Sequence, residues 1–220
     1  MLRFLHPISR SGLHEPTGHA PLQHEIPGPQ QDMPSFRHHV LAVLGSMFLF
    51  MLSIVANELL FRQTSFVAGA HWIFLPAGMR LLCTLLFGAP GAIGILLATW
   101  IGGFLFYFPN DPNRWIFGGL ISTLAPYLTY LFAKHTLGLR TSLINLTARR
   151  LLVLIVLYSV ASPALLEAWL ALKGDVDGIG MRFLVMVVGD LSGTLILIYA
   201  MKLGLWIVAL VRASMDRGSR

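Results

Sequence analysis

From residue 40 to residue 212, apolar residues run in long blocks broken at short intervals by Gly, Pro, Asn and Asp. The blocks lie at 39–61, 66–87, 90–108, 115–137, 149–172 and 181–212. Each is close to the roughly 20 residues that carry an α-helix across the hydrocarbon core of a bilayer. The connections hold the expected breakers: "GAPG" at 88–91, "PNDPNR" at 109–114 and "KGDVDGIG" at 173–180. The pattern predicts an all-α fold, a polytopic transmembrane bundle of about six spans. The last block is too long for one straight crossing and passes Lys202, so its end is expected to project from the membrane or lie along its surface.

Composition supports a membrane rather than a soluble chain. Of 220 residues, 55% are hydrophobic and only 12% charged, and the mean hydropathy is +0.71. A soluble domain carries roughly 25% charged residues. The formal charge of +6 lies between the blocks rather than along one stripe, which is the distribution of topology signals and not of a nucleic-acid footprint. The bilayer is therefore the expected partner, and no nucleic acid is expected. Arg3, Arg10, Arg37, Lys134, Arg140, Arg149, Arg150, Arg212, Arg217 and Arg220 fall on one side of the predicted topology, against a nearly neutral set on the other. The positive-inside rule then predicts both termini in the cytoplasm, in agreement with an even number of spans.

Residues 1–38 have a different character: they hold six of the twelve prolines and five of the eight histidines, with His39 directly after, and no apolar run of signal-peptide length. A cytoplasmic tail without fixed structure is expected there, followed by a helical membrane domain over 39–212 and a short cytoplasmic tail over 213–220. The histidines match no metal-ligand spacing, and the one cysteine, Cys83, lies in an apolar block. No metal and no cofactor is expected. There is no phosphate-binding loop, no H-E-x-x-H and no G-x-S-x-G, so the chain reads as a non-enzyme.

Against this background Glu58, Arg80, Glu167 and Asp190 stand out, because they fall in or near spans. A charge near the bilayer centre costs about 2.5–3.5 kcal/mol on insertion scales and usually faces the bundle interior. Glu58, Arg80 and Asp190 are candidates for an internal ion network or ligand site, with Asp190 the expected partner of Arg80. Glu167, near the outer end of span 5, is expected to be interfacial. Arg80 and Asp190 either line a polar cavity that recognises a ligand or form a structural pair that fixes helix register.

Pro76 removes a backbone donor and frees the carbonyl of residue 72. The stretch His71, Trp72, Pro76, Gly78 is therefore expected to be an irregular lead-in to span 2, with His71 and Trp72 at the outer interface. Gly94, Ala98 and Gly102 recur every four residues in span 3, and Gly189 with Gly193 form GxxxG around Asp190. Such spacing lets helices pack closely.

The stretch "WIFLPAGMRLLCTLLFGAPGAIGILLATWIGGF" at 72–104, with Trp72, Pro76, Ala77, Gly78, Gly88, Gly94 and Gly102, resembles MASE1, an integral membrane sensory module of bacterial signalling proteins. Gly189, Asp190 and Gly193 are similar to a late "GD" followed by Gly in the same family. Together the two patches cover about a sixth of the chain. The resemblance implies a multi-pass protein of the bacterial inner membrane that senses a small ligand or membrane-associated signal and passes it to a partner. This chain departs from the family in having about six spans, in ending without a kinase, cyclase or phosphodiesterase domain, and in carrying Arg80 in a helix that is usually apolar. Glycine-bearing stretches of this kind also resemble substrate-binding subunits of energy-coupling-factor transporters, which would imply coupling subunits as partners. A membrane scaffold or assembly subunit is the third reading.

Overall fold

The computed structural model of the protein describes residues 36–67, 70–138 and 147–218. Six helices account for nearly all of it: α1 (Phe36–Phe61), α2 (Leu75–Phe87), α3 (Ala89–Gly102), α4 (Pro112–Thr136), α5 (Ala148–Leu172) and α6 (Ile179–Gly218). All but α2 are long and apolar enough to cross a membrane, α3 together with the turn that continues it to Tyr107, and the protein is a multi-pass membrane protein with an all-α fold. The tail expected at 1–38 lies outside the described residues except for 36–38, which form the first turn of α1. The C-terminal tail expected from residue 213 is instead a continuation of α6, which runs to Gly218.

Span 2 differs most from expectation. At a rise of 1.5 Å per residue, the 13 residues of α2 reach only about 20 Å. The remaining depth is taken by a short antiparallel pair, β1 (Ser65–Val67) and β2 (Ala70–His71), and by an irregular segment over 72–74. Non-helical backbone at this depth must have its polar groups satisfied by protein. The Leu75 amide donates to Asn57 Oδ1 at 2.9 Å, the Phe74 amide to the Gly189 carbonyl at 3.1 Å, and the Trp72 amide to the Thr64 carbonyl at 2.9 Å. The Trp72 carbonyl accepts from Ser192 Oγ at 2.9 Å. Pro76 falls in the first turn of α2, where its missing donor breaks no helical bond.

The short α2 is also the most interior helix. Ala77, Leu81 and Leu85 are buried against Ala125 and Ala133 of α4 and Leu154, Ile155 and Tyr158 of α5, which together form the core. On the outer faces of the other helices, large apolar side chains such as Phe48, Leu97, Leu128, Val156 and Leu184 are exposed, as a bilayer requires. Gly88, with φ of 61°, closes α2 and opens α3 one residue later, a conformation that suits glycine.

Close approach at small residues sets the helix arrangement. A β-carbon on Gly94 would collide with the Val43 carbonyl of α1, and Ala98 on the same helix is fully buried. Gly102 is looser, with Ile54 Cδ1 of α1 at 3.9 Å from the same construction. Gly78 of α2 would place one 2.8 Å from the Thr194 backbone of α6. Gly189 and Gly193 pack against something other than a helix: the carbonyls of His71 and Phe74 in the irregular lead-in. The GxxxG of α6 is a seat for broken backbone.

Candidate functional site

Arg80 projects from the interior helix α2 into a cavity of about 160 Å³. Every helix contributes to its wall: Phe50 from α1, Arg80 from α2, Thr99 from α3, Trp115 from α4, Ser162 from α5 and Asp190 from α6. His71 and Phe74 of the lead-in complete one side. The backbone is irregular around much of it. A π-helical turn over Gly103–Tyr107 ends α3, with the Phe108 amide donating to the Gly103 carbonyl at 2.8 Å, and Gly103, Tyr107 and Phe108 all line the cavity. Pro163 lines it from within α5, and Ser122, whose carbonyl the intrahelical Pro126 leaves without its usual donor, lines it from α4.

The Arg80 guanidinium is held by ring faces. Its central carbon lies 5.1 Å from the Phe50 ring centroid and 5.4 Å from that of Phe74. Such contacts contribute on the order of 0.5–2 kcal/mol each, depending on desolvation. They leave the guanidinium edges free of carboxylate. Among the described residues Arg80 makes no ion pair, and its Nε is buried without a hydrogen-bond partner. The Tyr158 hydroxyl lies within electrostatic reach but outside hydrogen-bond geometry.

This corrects the expected Arg80–Asp190 pair. The two residues line the same cavity and interact through space, but they are not in salt-bridge contact. Asp190 is 6% exposed and hangs from α6 at a level fixed by Gly189 and Gly193 on either side. Arg80 follows Gly78, which meets α6 at Thr194 rather than at Asp190, and its guanidinium lies against the Phe50 and Phe74 rings. Glu58 is half-buried on α1, lies outside the cavity wall and forms no ion pair among the described residues, while its charge reaches His71 and Tyr107 of the wall.

His71 is not the interfacial hydrogen-bonding residue expected. It is 5% exposed, stacks on Phe74 with centroids 5.4 Å apart, lines the cavity, and leaves Nδ1 without a partner. Trp72, its neighbour, faces outward and is 37% exposed. Pro76 and Gly78 are buried in α2.

Glu167 is the second correction. It is buried rather than interfacial, and Arg182 of α6 grips it with two bonds, Nε to Oε1 at 2.7 Å and Nη2 to Oε2 at 2.8 Å. Asp175, in the loop between α5 and α6, accepts from Arg182 Nη1 at 3.2 Å and from Arg114 Nη2 at 3.3 Å. Arg114 and Arg182 also line the cavity, but their charges are already met. One signal for this network was present in the chain: Glu167 and Arg182 stand nearly equidistant from the centre of the α5–α6 loop, so antiparallel helices bring them level. Pro163 and Pro126, inside apolar spans, were the signal for helix carbonyls left without their usual donors beside the cavity.

The described residues contain no group of three His, Cys, Asp or Glu side chains placed to hold a metal. What the arrangement does offer is a ring-walled chamber of single-ligand size, with one cation and one carboxylate unpaired on its wall. Comparison with protein-family models, with curated proteins and with solved structures finds no match to the chain.

Proposed function

We propose that the protein is a MASE1-like membrane receptor: a small ligand occupies the Arg80 cavity, and its occupancy is passed to a partner through α6. The observation that carries this reading is the guanidinium of Arg80, without an ion pair, facing the same cavity as the buried carboxylate of Asp190. A charge held at membrane depth without a partner is costly, and such residues mark ligand pathways and sites. A structural pair would have brought the two into contact.

Transmission is supported by the construction of α6. The helix carries Asp190, seats the lead-in backbone on Gly189 and Gly193, and then leaves the bundle. Its 40 residues span about 60 Å, and all side chains from 199 to 212 are exposed. A shift of α6 at the cavity is thereby carried to its far end. By the positive-inside rule that end, with both chain termini, faces the cytoplasm of a bacterial inner membrane.

The test is purification from native membranes in mild detergent after crosslinking, followed by mass spectrometry. Co-recovery of kinases or cyclic-dinucleotide enzymes, lost in Arg80→Gln, is expected. Recovery with a transmembrane coupling subunit and ATPases would replace the receptor with a transporter subunit. Recovery of the protein alone would remove the signalling partner from the reading.

A further inference from the structure

We propose that the ligand of this cavity is a small zwitterion with a compact apolar body, a free amino acid of the phenylalanine or leucine kind. This rests on the reading of the cavity as a ligand site and names the class of molecule that fills it.

Charge selects the class. Arg182 and Arg114 are satisfied by Glu167 and Asp175, which leaves Arg80 and Asp190 as the cation and anion of the wall that stand outside any ion pair, with Ser162 beside Asp190. A simple carboxylate would pair with Arg80 but bring like charge toward Asp190, and a simple amine would do the reverse. In a low-dielectric chamber each mismatch is strongly unfavourable. A molecule with both charges a few bonds apart satisfies both groups at once, and bidentate contact with a carboxylate is the natural use of a free guanidinium edge.

Two further buried polar atoms of the wall lack a partner, His71 Nδ1 and Trp115 Nε1. His71 and Asp190 are each more than nine-tenths buried, so these are built-in features of the chamber rather than surface groups. A site with unmet buried polar groups discriminates strongly against ligands that leave them unpaired.

Size and lining define the rest of the molecule. An apolar cavity of about 150 Å³ accepts benzene, and the present one measures about 160 Å³. One ring or one branched aliphatic group fills it, and because the cavity is partly open the polar head need not share that same space. Phe50, Phe74, Tyr107 and Trp115 supply the apolar walls.

The experiment is isothermal titration of the full chain in lipid nanodiscs with matched probes. These are phenylalanine and leucine, their deaminated acids 3-phenylpropionate and 4-methylpentanoate, and their decarboxylated amines 2-phenylethylamine and 3-methylbutylamine. At least one amino acid is expected to bind, and removing either charged group from it weakens binding at least tenfold. Asp190→Asn is expected to bring the acid within threefold of its amino acid, a gain that a purely structural role for Asp190 does not produce. Equal binding of acid and amino acid to the unaltered protein overturns the proposal, as does failure of both amino acids to bind. A parallel thermal-shift titration with a native metabolite extract separates the two levels. An Arg80-dependent shift without amino-acid binding overturns the zwitterion and leaves the receptor standing; no Arg80-dependent shift from any probe or extract overturns both.

Discussion

Arg182 and Glu167 form a two-bond ion pair between α6 and α5, with side chains 13% and 5% exposed. The pair joins the two helices near their connecting loop, beside the cavity that Arg182 also lines. Breaking such a pair leaves one charge buried and uncompensated, at a cost of about 3–5 kcal/mol, whereas replacing both partners with apolar residues is often close to neutral. Glu167→Gln is therefore expected to lower the melting temperature in detergent far more than the double change Glu167→Leu with Arg182→Met. Arg114 and Asp175 are 40% and 37% exposed, and Arg114→Gln is expected to cost no more than about 1 kcal/mol. A double variant at 167 and 182 less stable than either single one would sink this account.

The seat for the lead-in gives a contrast within one helix. A methyl group on Gly189 or Gly193 collides with the carbonyl of His71 or Phe74, while Gly204 of the same helix has nothing within 4 Å of the equivalent point. Overpacking costs about 1–3 kcal/mol, whereas Gly→Ala in an unobstructed helix gains about 0.5–1 kcal/mol. Gly189→Ala and Gly193→Ala are each expected to lower the melting temperature, and Gly204→Ala to leave it level or raise it. Equal responses at all three positions would contradict the packing described.

Most of the architecture was legible because a bilayer demands it. Long apolar runs broken at Gly88, Asp111 and Gly174 could be little other than spans and turns. The shortening of span 2 was not, since the stretch from Phe66 to Phe74 has no charged residue or proline and a single ionisable one, His71. What unwinds it is hydrogen bonding from far away in sequence, Asn57 to Leu75 and Ser192 to Trp72, 18 and 120 residues apart. Pro76 announced the break and the free carbonyl of Trp72, but not the hydroxyl that would meet it. At the site, Arg80 and Asp190 were identifiable by their cost in lipid, and the cavity they share was not, because their separation depends on where six helices cross. Glu167 was misjudged by its place near a helix end; its burial follows from a partner on the next helix.

The Asn57–Leu75 bond supports the start of α2, so its loss can be weighed against that of the Ser192–Trp72 bond. Asn57 is 2% exposed, and replacing it by Leu leaves a buried amide without an acceptor, a penalty of about 1–3 kcal/mol. Ser192→Ala removes a hydroxyl shared between the Trp72 and Gly189 carbonyls at a more open position and is expected to cost about 0.5–1.5 kcal/mol. Proteolysis after the hairpin, monitored on detergent-solubilised protein, is expected to accelerate more in Asn57→Leu than in Ser192→Ala. The opposite order would mean that α2 is anchored elsewhere.

Because Arg80 and Asp190 face one chamber without touching, their coupling should depend on what fills it. Groups in direct contact show interaction energies of about 0.5–3 kcal/mol in double-mutant cycles, and separated groups show less. In the ligand-free protein, the cycle of Arg80→Gln and Asp190→Asn is expected to give a smaller interaction energy than the cycle of Arg182→Gln and Glu167→Gln. A ligand that bridges the two charges adds stability only when both are present, so the same cycle measured in saturating ligand is expected to show a larger coupling. The comparison needs four melting curves with ligand and four without for the Arg80 pair, and four without for the Arg182 pair. A ligand-free coupling at 80 and 190 as large as that at 167 and 182 would restore the structural ion pair and remove the basis for a vacant charge.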